Sequence, residues 1–284
     1  MAKPDLAPVF ILAPPLGQGA LLAASLGRHP GFAMLPATQL MCADTPSALA
    51  ARWGSRMQGH DHGLIRALAA LVFGGETDAS AAQAADWLTE HATMPAKAVM
   101  DRLAAAAAPR RLIDASFLYA VDDSALDRIA HGFPHARFIH LLRHPATCFA
   151  APDLARARSD SLWLRPHLRI HAFLAERDPL CWVRLRAEWL AQDPAPKLAE
   201  LLKWLGAPRS KTVVARLLDA GLPADFAAKG PERAPHGLDP ALASDPGLAA
   251  LFGAAKAPEL DEHGWTNAGF DDETRAMARL FGYA

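Results

Sequence analysis

A chain of 284 residues, 51% of them hydrophobic, carries enough apolar material for one large core, which excludes an intrinsically disordered segment. Its 29 basic and 30 acidic side chains leave a formal net charge of −1, so no general attraction to nucleic acid or to an anionic membrane is expected, and any anion site must be local. Three scattered cysteines, Cys42, Cys148 and Cys181, argue against a disulfide framework or a zinc cluster and fit a reducing, cytoplasmic setting.

The first element is the apolar run PVFILA (Pro8–Ala13), too short to span a bilayer and flanked by prolines. It predicts a buried strand rather than a signal peptide. The turn Pro14-Pro15-Leu16-Gly17-Gln18-Gly19 follows, and helical spacing then runs over Gly19–Gly27. A second strand is predicted at FAMLP. Helices follow over Leu64–Phe73, Ser80–His91 with Ser80 as its cap, and Pro95–Ala107 with Pro95 near its first turn. RLIDAS is the third strand, Ser124–His131 the next helix, and ARFIHLLR and CWVRLR the fourth and fifth strands. Further helices fit Leu162–Leu174, Ala195–Leu205, Ser210–Ala220 and Asp271–Phe281.

None of the strand runs alternates apolar and polar residues, which predicts a parallel sheet covered on both faces. The expected architecture is a three-layer α/β domain over residues 1–284, with no second domain. From Leu222 to Asn267 the chain is rich in Pro, Gly and Ala and weakly periodic, as expected for an irregular wrap or lid over the functional edge.

Strand, glycine turn, helix is a general way to aim backbone N–H groups and a helix N-terminus at an anion, here through Gly17, Gln18 and Gly19. The same glycines also suit a tight turn with no ligand. The nucleotide-triphosphate pattern G-x-x-x-x-G-K-[ST] is absent. Arg143 and His144 stand where the fourth strand ends, the edge at which α/β sheets take ligands. Arg143 suits a phosphate through its two-pronged fork, or else pairs with a carboxylate such as Asp114. His144 is the acid/base candidate, whereas His140 reads as a satisfied core residue. Cys148 is either a buried structural residue or, at a helix start, a thiol of lowered pKa. The HDHG stretch (His60–Gly63) reads as a solvated turn entering a helix rather than half a metal site, and no metal is predicted.

Five segments, PVFILAPP…LGRHPGFAMLP, RLIDASFLY, ARFIHLLRHPAT, RLRAEWLAQDPAPKLAELLKWLGAP and LDPALASDPGL, occur in that order. In this arrangement the chain resembles the sulfotransferases that use 3′-phosphoadenosine 5′-phosphosulfate (PAPS), particularly a bacterial branch associated with natural-product pathways. The resemblance implies a single P-loop-like α/β domain. Its first loop would hold the 5′-phosphosulfate, and the fourth-strand Arg with a later Ser would hold the 3′-phosphate. Against that pattern, Pro15 replaces a basic residue and Leu16 a Ser, while Gln18 and Gly19 fill hydroxyl positions. Ala37 stands for an acidic residue, Ala115 for a Lys and Ala151 for the later Ser; Asp114, Ser116, Tyr119, Arg143 and Glu188 are kept.

The resemblance therefore implies that Gly17, Gln18, Gly19 and Arg143 form a vestigial cofactor site, where PAPS or its desulfated form PAP binds weakly or no longer binds. One expectation is a family member without sulfate-transfer competence, in an accessory or repurposed role on a small-molecule or carrier-tethered natural-product intermediate. It would act as a homodimer or as a heteromer with an intact paralogue. The alternative is an active PAPS-dependent enzyme with an atypical donor site, to which Arg66, Arg110, Arg111 or Lys229 would contribute the missing charge.

Overall fold

The computed structural model describes residues 6–149, 152–219, 221–239, 242 and 258–283. Five strands, β1 (Val9–Leu12), β2 (Phe32–Met34), β3 (Arg111–Asp114), β4 (Arg137–Leu142) and β5 (Trp182–Arg186), form one sheet in the order β2-β3-β1-β4-β5. Every neighbouring pair is parallel. All five expected strands are present. Every residue of β1, β2 and β3 is buried, because helices cover both faces and leave no solvent side on which polar residues would alternate.

The two faces divide the strand residues by parity, as the pleat requires. Phe10, Leu12 and Phe138 pack beneath the helices His62–Leu71, Ala96–Ala107 and Arg165–Ala175. Val9, Ile11 and Ile139 pack on the opposite side, against α1 (Gly19–Gly27) and the helix Pro194–Trp204. A third cluster, including Phe149, Trp163, Trp265, Phe270 and Tyr283, fills the space beyond β4 and β5. β1 lies between β3 and β4, so the strand order reverses at its C-terminal end, where a crevice opens. The turn Pro14–Gln18 occupies that switch point.

Several local expectations change. The helix placed at Ser80–His91 begins at Asp78, with Thr77 as its cap and Ser80 as the reciprocal partner in a capping box. Pro95 is itself the N-cap of Ala96–Ala107. The helix expected at Leu162–Leu174 continues a longer run that starts at Pro152 and passes through a π-helical turn, Asp160–Leu164. Pro166 has no amide to donate, so the regular ladder breaks beside it and the Arg165 amide reaches back to the Asp160 carbonyl. The short helices Pro46–Trp53, Ala187–Gln192 and Glu262–Asn267 were not foreseen, since six to eight residues show too little periodicity.

The expected wrap is fastened rather than loose over residues 222–239. The Arg66 guanidinium donates to the carbonyls of Ala227 (2.6 Å) and His236 (3.2 Å) and pairs with Glu76. Glu76 in turn accepts from the Ala227 amide at 2.6 Å. Arg110 pairs with Asp225 at 2.7 Å. The Ala37 amide donates to the Gly237 carbonyl at 2.8 Å. Gly237 sits at φ 98°, and a side chain there would meet the Gly63 backbone at 2.5 Å, so the wrap lies directly on the helix start.

Candidate functional site

The switch-point turn is tight. Its Gly17 amide closes on the Pro14 carbonyl at 2.9 Å, and a Cβ at Gly17 would stand 2.8 Å from that same oxygen. Leu16 (φ 68°) and Gln18 (φ 63°) both adopt the left-handed conformation. For side chains other than Gly or Asn this costs about 1–3 kcal/mol each and is tolerated only where the surroundings impose it. Leu16→Gly is accordingly expected to raise the unfolding free energy by about 1 kcal/mol, after the extra entropy of an unfolded glycine is deducted. Urea denaturation would register this as a higher midpoint at unchanged slope.

Gln18 is the N-cap of α1 but makes no side-chain capping bond, and the first turn of α1 holds no acidic residue. The N-terminal amides of a helix lack intrahelical acceptors, so this end presents donors. This end borders a cavity of about 580 Å³ lined by the whole turn and by Gly19, Ala20 and Leu21, the Leu21 amide being taken by the Gln18 carbonyl at 3.1 Å. Met34 at the end of β2 and Leu35–Ala37 after it, Ala115 and Phe117 after β3, and Arg143 after β4 also line it. Met57–His60 and His236–Asp239 form the remaining wall and roof.

Gly17, Gln18, Gly19 and Arg143 are thus brought to one site. Arg143 is half-buried, and its Nη1 donates to the Leu16 carbonyl at 3.0 Å. Its Nε is buried without a partner among the described residues. The alternative pairing with Asp114 does not occur. That buried carboxylate accepts instead from Tyr119 Oη (2.8 Å), the Ser116 amide (2.9 Å) and Thr38 Oγ1 (3.1 Å). Burial raises the Asp114 pKa against the pull of these hydrogen bonds. The network joins the end of β3 to residues 38–41, and neither Asp114 nor Tyr119 reaches the cavity.

His144 does not enter the cavity. Its ring is fully buried, stacked on Trp265 at 5.0 Å and edge-on to Tyr283 at 4.9 Å. Nδ1 accepts from the Ala146 amide at 3.1 Å, so the proton resides on Nε2, which is buried without a partner. Burial, with the nearby Arg186 charge, lowers its pKa to about 4, so the ring is neutral at pH 7. Successive side chains of extended backbone point to opposite sides; if Arg143 faces the crevice, its neighbour cannot. That signal was available in the sequence.

His140 is the core residue expected. Arg184 Nε donates to its Nδ1 at 3.3 Å, and its Nε2 stands 2.9 Å from His167 Nδ1. Cys148 ends a short helix, Pro145–Cys148, rather than starting one, and burial pushes its thiol up to about 12. It is not an activated nucleophile. His60–Gly63 does form a turn entering the helix His62–Leu71, and no metal-holding group of His, Cys, Asp or Glu occurs among the described residues.

The four remote cations stay remote. Arg66 is only 1% exposed and fully engaged as described above, and Arg110 is held by Asp225. Arg111 donates to the carbonyls of Ala7 and Leu205, both at 3.0 Å. Lys229 is exposed and lies off the lining, and none of the four faces the cavity. Among the described residues Arg143 is the only Arg or Lys on the lining, which also includes Asp239. His60 was read only as part of a solvated turn, Asp239 only as part of the LDPALASDPGL segment, and His236 was not singled out; nothing in the sequence connects His60–Gly63 with His236–Asp239. Ala151 lies outside the described residues.

The family model described as "Sulfotransferase family" matches residues 8–211. Two solved structures align over nearly the whole chain. The sulfotransferase domain from the curacin biosynthetic pathway aligns at TM-score 0.76 and 19% identity, covering 99% of both chains. The sulfotransferase domain from the Synechococcus PCC 7002 olefin synthase aligns at TM-score 0.71 and 25% identity, covering 99% of this chain and 98% of that one. A comparison with curated proteins found no match. No helix among the described residues is long and apolar enough to cross a membrane.

Proposed function

From the premise that this chain belongs to the sulfotransferase family, we propose that it no longer performs donor-dependent sulfate transfer and acts as an accessory or binding domain on a natural-product intermediate, free or carrier-tethered. The charge on the cavity lining carries this proposal. Among the described residues that lining holds one Arg, Arg143, and no Lys.

Sulfuryl transfer relies on positioning and on neutralising charge at the donor and leaving group. Each electrostatic donor removed from such a site costs about two to three powers of ten in rate. Pro15, Leu16 and Ala115 stand on the lining where the resemblance calls for a cation, a hydroxyl and a second cation. Ala37 stands there in place of a carboxylate, and buried His144 cannot replace it. The association of both aligned domains with biosynthetic pathways supports the natural-product setting.

One observation favours the opposite reading of an atypical but active donor site: the unpartnered Nε of Arg143. Calorimetric titration of the full chain with PAP separates the two. No micromolar binding is expected, and no transfer of labelled sulfate from PAPS. Micromolar PAP binding that disappears in Arg143→Gln, together with transfer to any acceptor, would establish the active enzyme. Assembly with an intact paralogue belongs to the same proposal, and co-purification of a heteromer would support it.

A further inference from the structure

The cavity keeps one anion-binding element inside an aliphatic wall. Arg143 spends one N–H on the Leu16 carbonyl and holds a buried Nε without a partner. Beside it, Gly19 and Ala20 bring the uncapped first turn of α1 to the lining. The rest of the wall includes Leu21, Met34, Leu35, Met57, Leu238 and Leu242. Phe117 is the lone Phe, Tyr or Trp on the lining among the described residues, beside the imidazoles of His60 and His236. At about 580 Å³ the space lies within the range of about 300–1,000 Å³ usual for small-molecule sites.

The charges set the head group. A single anion can be met by the Arg143 fork and by N-terminal amides of α1. A second negative charge would find no further Arg or Lys among the described lining residues, and an unpaired charge taken out of water is costly. We propose that this cavity binds an amphiphile bearing one carboxylate, with its head on Arg143 and its aliphatic body against the Leu and Met wall. This rests on the reading that the turn no longer holds the nucleotide donor.

The test is calorimetric titration of the full chain with laurate, with its neutral counterpart 1-dodecanol and with PAP, in the unmodified protein, Arg143→Gln and Pro15→Asp. Laurate is expected to bind at micromolar concentration and to weaken at least tenfold in both variants, while 1-dodecanol changes less than threefold. Because Pro15→Asp alters only the rim of the cavity, it keeps the test open should Arg143→Gln fail to fold. Absence of laurate binding, or equal laurate affinity in the unmodified and variant chains, overturns the proposal. Parallel weakening of 1-dodecanol overturns the head-group assignment. Failure of laurate with no PAP binding sinks this inference alone, whereas micromolar PAP binding sinks the reading beneath it.

Discussion

Glu76→Gln is expected to destabilise the protein by about 3–5 kcal/mol, because it leaves the Arg66 charge buried without its counter-ion. The two side chains are 1% and 4% exposed, so solvent cannot take over from the lost partner. The damage should be directional. Arg66 and Glu76 together hold the Ala227 amide, the Ala227 carbonyl and the His236 carbonyl, which ties the cavity roof to the helix His62–Leu71. Chemical denaturation would give the loss of stability, and limited proteolysis should move its earliest cuts into residues 224–239. The double change Arg66→Met with Glu76→Leu should cost less than Glu76→Gln, since removing both charges avoids the uncompensated one. Equal proteolysis of this segment in the unmodified and Glu76→Gln chains would refute the clamp.

Acid is expected to unfold the protein abruptly, and the responsible groups are buried histidines. His140, His144 and His167 are all fully buried, and burial lowers the pKa of each: His140 well below the ordinary value, His144 to about 4 and His167 to about 3. Arg184 faces His140 and His171 and adds to the effect, as Arg186 does at His144. The hydrogen bonds enforce the neutral forms. Arg184 donates to His140 Nδ1, so His140 Nε2–H must donate to His167 Nδ1. The remaining His167 N–H has no acceptor among the described residues, and the ring lies edge-on to Trp163 at 4.6 Å. A further proton on this chain would set donor against donor.

The sign follows from linkage. Below about pH 6.5 the unfolded chain binds protons that the folded one refuses, so the stability present above that pH falls as pH is lowered towards 4. Each histidine contributes up to about 1.4 kcal/mol per pH unit, or about 4 kcal/mol per unit for the three. Asp114, whose pKa is raised, works in the opposite direction but is a single group. Against a typical stability of about 5–15 kcal/mol, the midpoint should fall between about pH 3 and 5.5. His144→Asn keeps an acceptor for the Ala146 amide and should flatten the slope of stability against pH by about 1.4 kcal/mol per unit. A slope unchanged in that variant would remove His144 from the account, whatever the variant's absolute stability.

Much of the fold was legible because buried parallel strands read as largely apolar runs between recognisable turns, although β5, with Arg184 and Arg186, is only half-buried. The turn Pro14–Gly19 was legible as a switch-point loop, and Arg143 as its neighbour, since the ends of parallel strands converge on one edge. The distance-dependent parts were not. Arg66 and Ala227 meet across 161 positions, and no local pattern announces which carbonyl a buried guanidinium will find. Alternation with Arg143 already turned His144 away from the crevice, but no local pattern announced that Trp265 and Tyr283 would enclose it.

Residue type and short-range spacing were enough to specify the parallel sheet, the glycine turn and a turn without Lys, Arg, Ser or Thr. Folding alone showed that Arg143 is the one Arg or Lys on the lining among the described residues, that Asp239 joins it, and that Leu and Met side chains form part of the wall. Charge at a cleft is a sum over side chains brought together from distant segments, and that sum exists only once the chain has folded.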